Sequence, residues 1–495
     1  MHPLKRNLQF LVAITLLGAG LTGCMVGPDF HSPSPPNTKT YTRPPLPTKT
    51  VNISKAGKAG AAQYFVNGQD IPAAWWFMFH SQALNDLICQ GLDNSPNLAA
   101  AEAALREAQE NVTAQIGASL FPNITFQPSA ERQRFSGAAF GVNSPPTTFN
   151  LYNVPFNVSY TLDVFGGARR QIESLRAQVD YARFEWEAAY LTLTANTVTT
   201  AVTVASLQRQ IQATQQLIQL QENQLKIVKQ QFELGGASMA DVLTQESQLA
   251  QTRTLLPPLE KSLAQSRHAL AVLVGALPSE IQLPTIDLDK LYLPTHLPVT
   301  LPSSLVQQRP DIRESEALLH AASAQIGVAT ANLLPQITIT GSYGWESETL
   351  NNLFTYNANL WSYTGQLTQP IFNGGSLRAK RRAAIAAYDQ AAAQYRQTVL
   401  QAFQNVADSL RAIEMDAKAF KAQKQAEVAA FNTLRLTQQQ FRLGGVSYLS
   451  LLTAAEQYQQ ALIARIRTQA ARYTDTAALF QALGGGWWNR ELLES

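Results

Sequence analysis

A run of 67 residues, Ala168 to Leu234, contains neither glycine nor proline. As one helix it would be roughly 100 Å long. Globular cores rarely need that, since their helices average about three to four turns. The run stops at Phe232-Glu233-Leu234-Gly235-Gly236-Ala237-Ser238, and the stretch returns as Phe441-Arg442-Leu443-Gly444-Gly445-Val446-Ser447. Glycine adopts the left-handed conformation without a Cβ penalty, so it ends a helix. A Ser or Asp just beyond can cap the next one. Gly235, Gly236 and Ser238, and likewise Gly444, Gly445 and Ser447, therefore mark tight turns between long helices.

The repetition extends in both directions. Asp163-Val164-Phe165-Gly166-Gly167 matches Pro370-Ile371-Phe372-Asn373-Gly374-Gly375, and the segment ending Leu120-Phe121-Pro122 matches the one ending Leu333-Leu334-Pro335. Solenoid repeats run ~20–50 residues; this unit is far longer and amounts to a duplicated half-molecule. The divisions expected are a signal-like segment 1–23, a proline-rich strap 24–70, a first repeat 71–278, a linker 279–302, a second repeat 303–486 and a tail 487–495.

The start has Lys5 and Arg6, an apolar core from Phe10 to Ala19, and then Leu21-Thr22-Gly23-Cys24. It is a secretory-signal pattern, and its end resembles the lipobox of bacterial lipoproteins. That resemblance makes Cys24 the lipid attachment point, and Met25 after it favours the outer membrane. The only other cysteine is Cys89; alone, it is expected to be a small buried residue. Seven prolines between Pro28 and Pro47 exclude a helix there. The cluster Trp75-Trp76-Phe77-Met78-Phe79 is expected to anchor this segment to a core.

Each half reads helix, strand, strand, long helix, turn, helix. In the first, Asn123 to Ala130 begins a strand, and Val154 to Val164 alternates apolar Phe156, Val158, Tyr160 and Leu162 with polar Asn157, Ser159 and Thr161. The second half repeats this from Ile337 to Trp345 and from Trp361 to Ile371. Such a period of two is a strand with unlike faces. In the long helices, Val204, Leu207, Ile211, Ile218, Leu225, Val228 and Phe232 form a 3–4 seam, with Thr214 and Gln221 filling two positions. A weaker seam runs through Ile413, Phe420, Leu434 and Phe441, and Pro257-Pro258 interrupts the helix after the first turn.

No stretch of the mature chain has the ~18 continuous apolar residues of a membrane helix. Alternating strands are the other way across, provided the barrel closes and no edge faces lipid. Four strands cannot close one, because single-chain barrels begin at about eight. If the strands span a membrane, several chains must share the barrel: two chains would give eight strands, three would give twelve.

Charged residues are 15% of the chain, with 38 basic against 35 acidic and no basic stripe, so nothing suggests nucleic acid. The six histidines form no HExxH pair, and there is no CxxC, phosphate loop or nucleophile elbow. No catalytic residue, metal site or cofactor is expected beyond the covalent lipid on Cys24.

Taken in order, Cys24-Met25-Val26-Gly27-Pro28-Asp29-Phe30, Trp75-Trp76, Gln308-Arg309-Pro310-Asp311, both strand-ending Gly-Gly motifs and both helix turns resemble the TolC-like outer-membrane factors, in the lipoprotein branch similar to OprM. The resemblance covers nearly the whole mature chain. It implies a mixed α/β membrane protein: a homotrimer with a β-barrel of four strands per chain in the outer membrane, continued by a periplasmic antiparallel α-helical coiled-coil barrel. It also implies a passive, gated exit duct for drugs or other small solutes, working with a periplasmic adaptor and an energised inner-membrane pump. The turns would then be the adaptor-docking ends. Leu449 matches a leucine that narrows the family's tip. Thr453 stands where some members carry a carboxylate, so no acidic ring carries over from the second turn. Asp241, in the first turn, is the nearest carboxylate, as a gate residue or a helix cap. A duct for ATP-driven protein secretion and a non-transporting lipoprotein that spaces the envelope are the alternatives.

Overall fold

The computed structural model describes residues 25–136, 141 and 145–490. Cys24, the signal-like segment, part of the 136–146 loop and the end of the tail lie outside the described residues. In chain order the elements are β1 Tyr64–Asn67, α1 Gln82–Asn94, α2 Pro96–Leu120, β2 Asn123–Phe126, β3 Ser129–Phe135, β4 Thr147–Leu162, α3 Gly167–Glu233, α4 Met239–Thr254, α5 Leu256–Leu273, β5 His296–Val299, α6 Pro302–Gln308, α7 Pro310–Ala331, β6 Gln336–Ser347, β7 Asn359–Thr368, α8 Ser376–Arg442 and α9 Tyr448–Ala482. The helices α3 and α8 are each 67 residues long, the length expected of runs without Gly or Pro. Pro257 and Pro258 fall in the first turn of α5, where a missing N–H costs nothing.

The chain forms two compact units. One comprises the described residues up to Pro33 with Ala104–Ala182 and Glu314–Tyr395; the other comprises Ser34–Ala103, Arg183–Arg313 and the described residues from Arg396 onward. Each unit therefore draws on both halves of the repeat.

The first unit holds a sheet in which β4, β6 and β7 pair antiparallel in that order, while β2 and β3 both pair with the free side of β4. These two are one edge broken at Gln127-Pro128, where proline offers no N–H to the ladder. The strand β4 starts earlier than its alternation suggested, because Thr147 to Asn153 pair with β3. It also stops before Val164. The Asp163 carboxylate accepts the N–H groups of Ala168 at 2.9 Å and Arg169 at 3.0 Å and so caps α3.

The start of the described chain is clamped onto this unit. The buried Arg170 guanidinium donates to the Val26 carbonyl at 3.2 Å, to Asp29 at 2.6 Å and to Glu173 at 2.7 Å. Gly27 has a φ of +97°, and a Cβ there would lie 2.4 Å from Gly327 Cα. Only glycine permits that approach.

The second unit has the main core. Trp75, Phe79, Tyr473 and Phe480 are at most 1% exposed and pack with Leu84, Leu87 and Ile88 of α1. Each such side chain contributes about 1.5–3 kcal/mol on burial, so the aromatic cluster anchors its segment as expected. Sequence reading overlooked α1 itself, and this helix corrects the expectation for Cys89. Leu84, Leu87, Ile88 and Gly91 face the core, which turns Cys89 outward and leaves it exposed. The 279–302 segment is more than a spacer: Leu288, Leu291, Leu293, Leu297 and Val299 are core residues, and β5 pairs parallel with β1. The long-helix seams are buried at Val204, Ile211, Val228, Ile413, Phe420 and Leu434, and also at polar Thr214 and Gln221. Phe232, next to the turn, is exposed instead.

Candidate functional site

Antiparallel pairing puts directly opposed residues on the same face of a sheet. Along the rows of this sheet, Ile124, Val158, Gly341 and Tyr363 are opposed in turn, as are Phe126, Phe156, Tyr343 and Trp361. Two further rows are Tyr160, Ile339 and Gly365, and Leu162, Ile337 and Leu367. One face is thus apolar and aromatic, and much of it is bare: Ile124, Phe126, Phe156, Tyr343, Trp361, Tyr363 and Leu367 are all exposed. The other face has the rows Asn123, Ser159, Thr340 and Thr364; Thr125, Asn157, Ser342 and Ser362; and Thr161, Thr338 and Gln366. In these rows every side chain is a hydroxyl or an amide, without a single charge.

An exposed apolar face this extensive is foreign to water, while the polar face solvates without discriminating charge. Among the described residues, no further strand pairs with the edges formed by β2/β3 and by β7. Their backbone groups remain available to pair. A cavity of about 510 Å³ lies at the α2, α3 and α7 end of the sheet and is lined by Phe121, Asn123, Ser159, Thr161, Gln171 and Asn332.

The helix turns belong to the second unit and share one geometry. Gly235 has φ +78° and Gly444 has φ +74°. The Gly236 N–H reaches back to Gln231 O at 2.7 Å and Gly235 N–H to Phe232 O at 3.0 Å; Gly445 and Gly444 do the same to Gln440 and Phe441. This crossed pair of bonds satisfies the last helical carbonyls. Ser238 caps α4 and Ser447 caps α9. Asp241 completes a reciprocal box, its Oδ2 accepting Ser238 N–H at 2.9 Å and Ser238 Oγ–H at 2.7 Å. Those bonds hold its carboxyl below the usual carboxylate range. Leu449 is 63% exposed, and the Thr453 hydroxyl is spent on the Leu449 carbonyl at 3.0 Å.

Beneath the turns lies a small core of Leu217, Val228, Val242, Leu434, Tyr448 and Leu451. The Tyr448 hydroxyl donates to Gln245 Oε1, and Gln245 Nε2 donates to the Gln221 carbonyl at 2.9 Å. Gln245 is fully buried, and burial pushes the Tyr448 phenol above its ordinary range. This link joins the helix after the first turn to the helix after the second. A cavity of about 450 Å³ opens beside it, lined by Gln224, Ile227, Gln231, Phe441, Arg442 and Tyr448. Sequence reading singled out neither Gln245 nor Tyr448. The available signal was their placement within one or two helical turns of the caps.

The family model for outer membrane efflux proteins matches residues 87–276 and 301–485. Over 98% of the chain, it is 29% identical to the "Probable efflux pump outer membrane protein TtgC" of Pseudomonas putida, covering 96% of that protein. It is 30% identical to the "Pyoverdine export outer membrane protein OpmQ" of the same species over 83% of the chain and 88% of that protein. The solved outer-membrane channel OprN superposes with a TM-score of 0.83 at 27% identity, covering 94% of this chain and 100% of that one.

Proposed function

Because the chain belongs to the outer membrane efflux protein family, we propose that it is the outer-membrane exit duct of a tripartite efflux system in a Gram-negative cell, passing small solutes outward. The observation that carries this reading is the sheet: an exposed aromatic face, an opposite face with three successive rows of hydroxyls and amides, and two open edges among the described residues. The aromatic face suits lipid and the hydroxyl and amide face suits a wet lumen. Open edges cannot stand in lipid, so the β2/β3 edge of one chain pairs with β7 of the next, and three chains close a twelve-stranded barrel. The duct supplies no energy of its own. A periplasmic adaptor reads the helix turns, with Leu449 and Asp241 at the narrow end, and an inner-membrane pump drives the cargo.

A lipid on Cys24 anchors the mature chain, and Arg170 holds Val26 and Asp29, which follow it in sequence. Palmitate-analogue labelling of the native protein and of Cys24→Ser tests this; equal labelling of both would exclude it. For the duct, the purified protein in a planar bilayer should give discrete conductance. A monodisperse monomer that inserts without conductance would overturn the reading.

A further inference from the structure

The helices on either side of the two turns are joined unequally. Those that follow the turns, α4 and α9, are tied by the bond from Tyr448 to Gln245. Those that precede them, α3 and α8, line the cavity of about 450 Å³. From α3 come Gln224, Ile227 and Gln231, at the i, i+3, i+7 spacing of one helix face. From α8 come Gln438, Phe441 and Arg442, which neighbour one another at the same helical spacing.

The polar groups in this wall are unspent. Gln224 is only 8% exposed, yet its side-chain amide bonds to nothing among the described residues, and its Oε1 is fully buried. A buried amide without a partner is costly. The side chains of Gln231 and Gln438 are half-buried and also make no bond among the described residues. The Arg442 guanidinium is exposed and pairs with no carboxylate among the described residues, and no acid lines the cavity. Exposed Ile227 and half-buried Phe441 supply apolar surface beside these groups.

Convergent amides, a free cation and apolar side chains, in a volume within the ~300–1,000 Å³ of small-molecule pockets, are the attributes of a ligand site. The single cation asks for one anionic group, and the apolar surface asks for a ring system.

We infer that this cavity binds a small amphipathic anion, an aromatic ring system bearing one carboxylate. The carboxylate lies on Arg442, the rings on Ile227 and Phe441, and polar substituents meet the three amides. Such a ligand joins α3 to α8 as Tyr448 joins α9 to α4, and so clasps the two turns together. The site stands on the cavity alone; its effect on opening rests on the duct reading above.

The test titrates full-length protein in detergent with 1-naphthaleneacetate by calorimetry, against matched micelles without protein. Saturable binding at a single site per chain is expected. The neutral 1-naphthaleneacetamide should bind roughly threefold more weakly, as the loss of one exposed ion pair implies. Arg442→Gln should weaken the acid by the same factor and leave the amide unchanged. Ile227→Trp, which fills the cavity from an exposed position, should abolish binding of both. No saturable binding, or binding that neither substitution alters because the rings sit in the micelle or on the apolar sheet face, would overturn the site. In the planar bilayer the acid should reduce conductance, and Arg442→Gln should raise the half-blocking concentration by roughly threefold. Binding without any change in conductance would overturn the clasp. A protein that shows the calorimetric site but never conducts would remove the duct reading and leave the site standing.

Discussion

Gly444→Val isolates the energetics of one helix turn. Gly444 has φ +74°, and a Cβ built there meets nothing within 4 Å. The substitution therefore adds no clash, and its cost is backbone strain alone. A branched residue in the left-handed region costs on the order of 1–2 kcal/mol. The turn is exposed and distant in sequence from the sheet strands, so the strain should raise local opening and leave assembly alone. A shift of 1–2 kcal/mol multiplies an open population by about 5–30. Trypsin reads that population at Arg442, two residues before the glycine, because cleavage follows the open fraction when reclosing is fast. The expected result is a rise in cleavage after Arg442 of about 5–30-fold, with native mass unchanged and efflux in cells impaired. Gly275→Val is the contrast: φ is +73° and the added Cβ would lie 2.3 Å from Asn94 O, so strain and clash combine in a core-packed turn and yield should fall. Unchanged cleavage in Gly444→Val would refute the strain argument. Lost assembly would show that the turn is needed to fold the oligomer.

Tyr448→Phe strands the buried Gln245 Oε1 without a donor, which costs about 1–3 kcal/mol; the same tryptic assay should show faster cleavage at Arg253 and Arg442. Asp241 has a carboxyl held below its unfolded value by Ser238, so its capping contribution is present above the ordinary carboxylate range and lost as pH falls through the lowered value. Cleavage at the first turn should rise only in acid, and Asp241→Asn should remove that acid dependence. Asp416 shows the opposite sign: burial and the neighbouring Asp475 push it up to about 7. Its protonated form stabilises the fold, and that stability is lost as pH rises from about 4 towards about 7. Asp416→Asn should keep the melting temperature level across that window, and a slope equal to that of the parent protein would exclude the assignment.

Much of this protein is legible locally. The helix lengths follow from absent Gly and Pro, the turns from Gly-Gly followed by Ser, and the strand faces from a period of two. These are short-range effects of sterics and side-chain alternation, and they act through the residues that carry them. The shared barrel also follows from sequence, because four amphipathic strands with unpaired edges are incomplete alone. Other features depend on partners far along the chain. The leucines of the 279–302 segment become core, and β5 becomes a strand, only because β1 lies beside them. Cys89 turns outward because Leu87 and Ile88 claim the inner face of α1. Arg170 is a clamp only once Val26 and Asp29 arrive, and Gln245 is a link only once Tyr448 does. No local periodicity encodes such pairings. Tertiary structure decides them, because an unpaired buried polar group or an uncovered apolar side chain is costly, and only the folded chain brings its partner.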